Sequence, residues 1–378
     1  MDVIEKLIDR FFTDIFRPED RLLVDFIFRE EHTQSNVDAL LKGWDIEVAG
    51  GYKALALSYV AKRHPELNFS TYTGPRLSGM WTRIRFENLR LMAHFNKVVK
   101  ALNAVGIRPM VVKGGAIKIL NPSRPRIMGD VDLVVRDGEY DQAREIVRGL
   151  GYVEKGIPTQ HSVDFVEPET GTGVVDIHRW IDLDVDYAHA PFMEDLFRRA
   201  RVASVQGGEV LLPSAEDHFF ILMMNLSKNI SHKQTVHGVL NAFFDSEVLV
   251  GDHVDFDWRQ VFADVEKTHA EAVYFATISF VKRLAPSLLP DAALGDAKTE
   301  RRLRQCAMQL YFWRYWKLPT WQVFRRISLK RALFGRQSLK LWLSVVPYYC
   351  VLKLIDGRPL LVSAFLRFSA KRGWMKCA

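Results

Sequence analysis

The spacing of apolar residues predicts helices at both ends of the chain, with strands and helices alternating between them. Near the start, apolar side chains follow the i, i+3, i+4, i+7 pattern of an amphipathic helix at Ile4, Leu7, Ile8, Phe11 and Phe12. Similar patterns predict helices over residues 21–29, 35–43 and 52–63. A stretch rich in Ser, Thr, Gly and Pro over residues 70–78 is typical of a linker, and one long helix is predicted over residues 79–105.

Short runs of β-branched and other apolar residues predict a sheet in the middle of the chain. The predicted strands cover residues 110–112, 131–135, 152–154, 163–166 and 173–177. From Pro213 onward the spacing becomes helical again, and Ser214 is placed to cap the first of four predicted helices. The pattern therefore changes from sheet to helical bundle near residue 213.

Together these elements predict an α+β fold in which a central mixed β-sheet module lies between two helical regions. Its four parts are an N-terminal helical segment over 1–78, the sheet module over 79–212, a helical domain over 213–300 and a helical tail over 301–378. With 48% hydrophobic and 26% charged residues, the composition is that of a folded protein. Three cysteines do not make a disulfide framework, and the acidic N-terminus lacks the basic start of a signal peptide, so we expect a cytoplasmic location.

Two carboxylates alternate with apolar residues at the start of the strand predicted near residue 131. Residues i and i+2 of a strand point to the same face, so Asp130 and Asp132 project together. Asp176 lies inside the later β-branched run GVVDI, and it joins them if that strand lies alongside. Because like charges at short range repel, this arrangement predicts a site for divalent cations, with enough oxygen ligands for two ions.

A glycine pair, Gly114 and Gly115, lies between the first predicted strand and a helical run. Glycines let backbone N–H groups approach an anion, and a helix N-terminus favours phosphate. Lys113, Arg124 and Arg126 are nearby cations that could neutralise a phosphate, and Arg126 is closest to the acids in sequence. The region therefore combines a predicted cation site with a predicted anion site.

These motifs, in order, resemble the nucleotidyltransferase superfamily related to DNA polymerase beta. The shared features are the glycine pair, the D-V-D-L strand and the later V-D-I acid. The segments VVKGGA, MGDVDLVV, LGY and VVDIHRW are more closely similar to a bacterial family known as uncharacterised nucleotidyltransferases, over roughly residues 80–284.

The resemblance implies metal-dependent transfer of a nucleoside monophosphate from an NTP such as ATP to an acceptor hydroxyl, with release of pyrophosphate. It implies that Asp130, Asp132 and Asp176 hold two Mg²⁺ ions, with Mn²⁺ as an alternative, and that Asp176 helps to deprotonate the acceptor. It also implies that His178, which follows the third acid, orients that acid or touches the substrate. The acceptor itself, whether a small molecule, a peptide, a protein or an RNA end, stays open.

Two other groups compete for the metal. Asp182, Asp184 and Asp186 form a second alternating run of acids, but no glycine pair precedes it, so we interpret it as a solvated edge or loop. His161, with His178, flanks the third strand and could ligate a metal, although a single histidine is more often a structural residue.

The tail beyond residue 300 has seventeen Lys and Arg against one acid, within a chain of net charge +7. Its basic residues alternate with aromatic ones, which suits an anionic membrane surface, an acidic partner or the acidic remainder of the chain itself. It has no groove-reading motif, so sequence-specific nucleic-acid binding is not expected. A non-catalytic interaction protein, or a membrane- or nucleic-acid-binding protein acting through this tail, therefore remains an alternative to the enzyme.

Overall fold

The computed structural model describes residues 16, 18–28, 32–42, 51–69, 73–123, 126–155, 161–181, 189–231, 235–251, 255–268 and 270–295. The chain divides into two compact units, Thr13–Gly295 and a second unit formed by Met1–Phe12 with Asp296–Ala378. All described residues belong to the first unit. The helix predicted at Ile4–Phe12 and the basic tail therefore lie outside the described residues.

Seven strands form one mixed sheet in the order β3-β4-β5-β2-β1-β7-β6. The strands are β1 (Met110–Val111), β2 (Val131–Val134), β3 (Val153–Lys155), β4 (Ser162–Val166), β5 (Gly173–His178), β6 (Arg201–Val205) and β7 (Gly208–Leu212). Strand β2 is parallel to β5 and antiparallel to β1, while β1 is parallel to β7. Five strands fall where the apolar runs predict them, and the β6–β7 hairpin is an addition to that prediction.

Eleven α-helices are present in the described residues. They are α1 (Pro18–Ile27), α2 (Gln34–Lys42), α3 (Gly51–Arg63), α4 (Thr73–Ala104), α5 (Lys113–Leu120), α6 (Tyr140–Gly149), α7 (His189–Arg199), α8 (Ala215–Ser231), α9 (Thr235–Ser246), α10 (Trp258–Lys267) and α11 (Glu271–Leu284). A π-helical turn, Glu247–Gly251, continues α9. Among these helices, none has both the length and the apolar character that a membrane span requires. The α+β prediction is confirmed.

The predicted linker over residues 70–78 is wrong from Thr73 onward, because α4 already begins at Thr73. Pro75 lies in the first turn of this helix, where its missing N–H and fixed φ are tolerated. The predicted end is confirmed, since Gly106 adopts φ +85 just after the helix. The cap predicted for α8 is also confirmed, because Ser214 Oγ accepts a hydrogen bond from the N–H of Asp217 at 3.1 Å.

Two apolar cores hold this unit together. One core joins α4 and α6 to the sheet, with Phe95, Leu133 and Phe165 among its fully buried side chains. The other joins helices α1 to α3 to α9, where Leu240 and Phe244 pack among their side chains. The helical regions on either side of the sheet module in sequence thus share a core, and α9 brings that core to the edge of the site.

Candidate active site

A row of carboxylates crosses three neighbouring strands. Asp132 on β2 is paired with Asp176 on β5, and Asp176 is paired with Asp164 on β4. Directly opposed residues share a face of the sheet, so the three side chains stand side by side. The side chains of Asp132 and Asp176 are buried, while Asp164 is exposed. The parallel pairing of β2 with β5 therefore brings together two of the predicted acids and adds a third that the sequence pattern did not single out.

His178 lies one step further along β5, on the same face, and bridges the two buried acids. Its Nε2 is 2.8 Å from Asp176 Oδ2 and 3.1 Å from Asp132 Oδ1. Burial alone would lower the pKa of His178, but its hydrogen bonds to the two carboxylates raise that pKa to about 9. The imidazolium thus offsets part of the negative charge.

Lys113 supplies the second positive charge, and its Nζ forms an ion pair with Asp132 Oδ1. Burial alone would lower the pKa of Lys113, but the charges of Asp132 and Asp176 raise it above its usual value. Burial would likewise raise the pKa of Asp132, yet Lys113 and His178 hold it well below its usual range. Lys113 also has a backbone φ of +50, a left-handed conformation that a lysine rarely adopts and that is commonly found at functional sites.

Asp130 precedes β2 by one residue and lines a pocket together with Asp132 and Asp176. Burial, together with the charge of Asp132, raises the pKa of Asp130 to about 7. Three side chains, Asp132, Asp176 and His178, place one potential ligand atom each within 4.8 Å of one another. Among the described residues this is the one group of three or more potential ligands within that distance, and Asp130 lies outside it.

The glycine pair packs closely against its surroundings. A Cβ atom on Gly114 would lie 2.3 Å from Nη1 of Arg126, and one on Gly115 would lie 2.6 Å from Cγ1 of Val131. Such distances are too short for carbon contacts, so both positions exclude a side chain. The pair lies in the first turn of helix α5, which begins at Lys113, and Gly114 lines the pocket. These glycines therefore let α5 lie directly on the sheet and on Arg126.

Arg126 is buried, and its guanidinium is paired with Asp245 on helix α9. Its Nε lies 3.0 Å from each carboxylate oxygen of Asp245, and its Nη2 lies 2.9 Å from Asp245 Oδ2. Its backbone carbonyl accepts a hydrogen bond from Asn88 Nδ2 at 2.6 Å. Of the predicted cations Lys113 and Arg126, Lys113 contacts Asp132, while Arg126 fastens the loop before β2 to α9.

A pocket of about 350 Å³ lies between the end of the sheet and helices α8 and α9. Its sheet side carries Lys113, Asp130, Asp132 and Asp176, together with Gly114 and Arg126. The opposite side is made by residues of the two helices. The pocket therefore contains carboxylates, a lysine and a helix start within one concave surface, which is the composition that binding of a phosphorylated ligand with a cation requires.

The remaining predicted residues lie elsewhere or outside the described part of the chain. Arg124 and the run Asp182, Asp184 and Asp186 are outside it. His161 stacks on His178, with ring centroids 5.9 Å apart, and is not part of the group of potential ligands. Sequence reasoning missed Asp164 and Asp245. The only signal for Asp245 was a carboxylate next to Phe243 and Phe244 in an apolar run.

Comparison with known proteins gives a match to one family. The family described as uncharacterised nucleotidyltransferase matches residues 54–286. No curated protein matches the chain. The solution structure of the antibiotic-resistance factor ANT(2'')-Ia is similar over 48% of this chain and 98% of that chain, with 16% identity and a TM-score of 0.31. A similarity at that level does not establish a common fold.

Proposed function

We propose a nucleotidyl transfer reaction for this chain, which belongs to the family described as uncharacterised nucleotidyltransferase. The reaction moves a nucleoside monophosphate from an NTP to an acceptor hydroxyl and releases pyrophosphate. One observation supports it above the others: Asp132 and Asp176 stand side by side on parallel strands, in a pocket that also holds Asp130 and Lys113.

The residues present fit a divalent cation. Asp176 Oδ1 is buried and has no hydrogen-bond partner among the described residues, although carboxylate oxygens in such positions are normally satisfied. Asp130 and Asp132 would hold two Mg²⁺ ions, or Mn²⁺ as an alternative, and Asp176 would hold the one beside the acceptor. When bound, the ions supply positive charge to the transferring phosphate. His178 would keep the Asp176 carboxylate in position, through the contact that it makes in the structure.

The protein's own groups supply positioning and charge. The acceptor oxygen bonds to the α-phosphorus, the bond from that phosphorus to the bridging oxygen breaks, and pyrophosphate leaves with the electron pair. The hydroxyl proton passes to the carboxylate of Asp176. Lys113 and the N–H groups of Gly114 and Gly115 would bind the departing phosphates.

Arg124 and Arg126 are the remaining proposed phosphate contacts. Arg126 is paired with Asp245, so it would act on the phosphates through the electrostatic field of its positive charge and not through a direct contact. Its contact with Asp245 joins the loop before β2 to helix α9. The acceptor is proposed to be a small molecule, a peptide or a protein. The basic tail would bring the enzyme to an anionic membrane or an acidic partner.

The test is thermal unfolding with an NTP and Mg²⁺, repeated with EDTA in place of the metal. At an NTP concentration a hundredfold above its Kd, binding should stabilise the fold by about 2.7 kcal/mol. Equal shifts with and without EDTA would count against a metal-dependent nucleotide site. Incubation of labelled NTPs with a set of acceptors then tests transfer. Asp132→Asn should abolish it, while Glu87→Gln, which removes an exposed charge on α4, should not.

A further inference from the structure

The helical side of the pocket is a neutral, amide-rich wall. Asn225 and Asn229 are four residues apart on α8, and His237 and Asn241 are four residues apart on α9. Residues four apart share one face of a helix, so each helix turns two polar side chains toward the carboxylates. Burial lowers the pKa of His237, which keeps this wall without charge.

The two helices approach closely at this wall. A Cβ atom on Gly238 would lie 2.5 Å from Cβ of Asn229, so only glycine fits there. This contact sets the asparagines of α8 beside the polar face of α9. The wall is therefore fixed by helix packing and does not depend on a loop.

The amides of this wall are available to a ligand. Asn225, Asn229 and Asn241 are half-buried, and they make no hydrogen bond to protein groups within the described part of the chain. Elsewhere in the same unit, half-buried asparagines are bonded; the amide of Asn103, for example, bonds the carbonyls of Ile107 and Glu209. Unused donors and acceptors on three neighbouring amides suit a ligand with a polar rim.

Aliphatic side chains border the amides. Ile127 and Met128 contribute from the sheet side, and Leu222, Leu226 and Ala242 contribute from the helices. No Phe, Tyr or Trp is among the described residues that line the pocket. A flat ring with apolar faces and hydrogen-bonding edges matches this surface, because its faces can meet aliphatic carbons while its edge meets the amides.

We propose that the asparagines of this wall recognise the nucleobase of the NTP and so determine which nucleotide the enzyme takes. The proposal rests on the nucleotidyl transfer proposed above. A side-chain amide has donors on its nitrogen and an acceptor on its oxygen. It therefore distinguishes bases by the order of donors and acceptors along the edge of each base. Stacking on an aromatic ring is sequence-tolerant, so a wall that reads by hydrogen bonds should select more strongly among the four bases.

The experiment compares binding of ATP, GTP, CTP and UTP with binding of inorganic tripolyphosphate, all with Mg²⁺, by titration calorimetry. Tripolyphosphate carries the phosphates without a base. The wild-type protein should bind one NTP about tenfold or more tightly than the least favoured NTP. Asn225→Leu and Asn241→Leu keep the side-chain size and remove the amide. Each should weaken binding of the favoured NTP about tenfold, reduce the preference, and leave tripolyphosphate binding unchanged.

Asn96→Leu, on α4 and outside the pocket, is the matched control, and it should change the affinity for neither NTP nor tripolyphosphate. Thermal unfolding of each variant is measured first; if a Leu variant does not fold, Asn225→Ser or Asn241→Ser replaces it with the same expected loss. Unchanged NTP affinity and preference in the folded variants, with tripolyphosphate still bound, would overturn this proposal alone. If neither NTP nor tripolyphosphate binds with metal, the proposed nucleotidyl transfer fails as well.

Discussion

The ion pair between Arg126 and Asp245 allows a quantitative prediction for Asp245→Asn. The exposed fractions of the two side chains are 10% and 1%, and three nitrogen–oxygen distances lie between 2.9 and 3.0 Å. The substitution leaves the guanidinium buried without a countercharge. Removing one partner of such a pair costs about 3–5 kcal/mol, because the remaining charge stays away from water. The free energy of unfolding should fall by that amount.

Urea unfolding followed by circular dichroism measures this loss as a fall in the midpoint concentration at unchanged slope. Glu87→Gln is the control, because it breaks an Arg83–Glu87 pair whose side chains are 79% and 46% exposed. An exposed pair contributes about 0–1 kcal/mol, so the control should unfold close to the wild type. The double variant Arg126→Met with Asp245→Leu removes both charges and should recover most of the loss.

Two outcomes would refute the reasoning about this pair. One is a cost of less than about 1 kcal/mol for Asp245→Asn, which would mean that water reaches the guanidinium. The other is a double variant as unstable as the sum of the two single variants, which would mean that the charges do not interact.

A packed glycine, a buried histidine and the basic composition of the tail each give a further expectation. Gly115→Ala should destabilise the fold by about 1–3 kcal/mol, because the added Cβ would overlap Val131. Gly79→Ala in α4, where the added Cβ would have nothing within 4 Å, should stabilise the fold by up to about 1 kcal/mol. Unfolding midpoints measure both changes. Burial lowers the pKa of His218 to about 4, so the unfolded state binds more protons between pH 6.5 and 4. The stabilisation that His218 gives above pH 6.5, about 3 kcal/mol at most, should be lost as the pH falls through that window. If a His218→Gln variant lost the same stability over that pH range, the loss would not come from His218. The basic tail should co-sediment with anionic liposomes at low salt and be released at high salt, and absence of binding at low salt would leave it without a membrane role.

The sequence predicted the local elements well, because their signals are local. Short runs of apolar residues marked the strands that carry Asp132 and Asp176, and Ser214 marked the start of α8. The start of α4 was misplaced because Gly74 and Pro75 suggested a linker, although both fit within a first helical turn. The turn that closes the β6–β7 hairpin lies at Gln206 and Gly207, and this hairpin was not predicted.

The contents of the site depended on register and packing, which the sequence does not state. That Asp164 stands beside Asp176 follows only from the antiparallel pairing of β4 with β5. The sequence predicted that the neighbouring acids repel one another, and the charge of Asp132 does raise the pKa of Asp130. It did not predict that Lys113 and His178 offset part of this negative charge. Asp245 lies more than a hundred residues from Arg126, and no local pattern connects the two.

Strand β1, which lies between β2 and β7 inside the sheet, is only two residues long. It joins β2 through two residue pairs and β7 through one, Met110 with Leu211. All the carboxylates of the site lie on the β2 side, whereas the β6–β7 hairpin on the other side is held by α4, where Asn103 bonds the backbone of Glu209. Partial unfolding that separates this hairpin breaks few backbone hydrogen bonds and leaves β2, β5 and β4 paired. We therefore expect the strands that carry the acids to stay paired when this hairpin separates, because β1 joins it through a single residue pair.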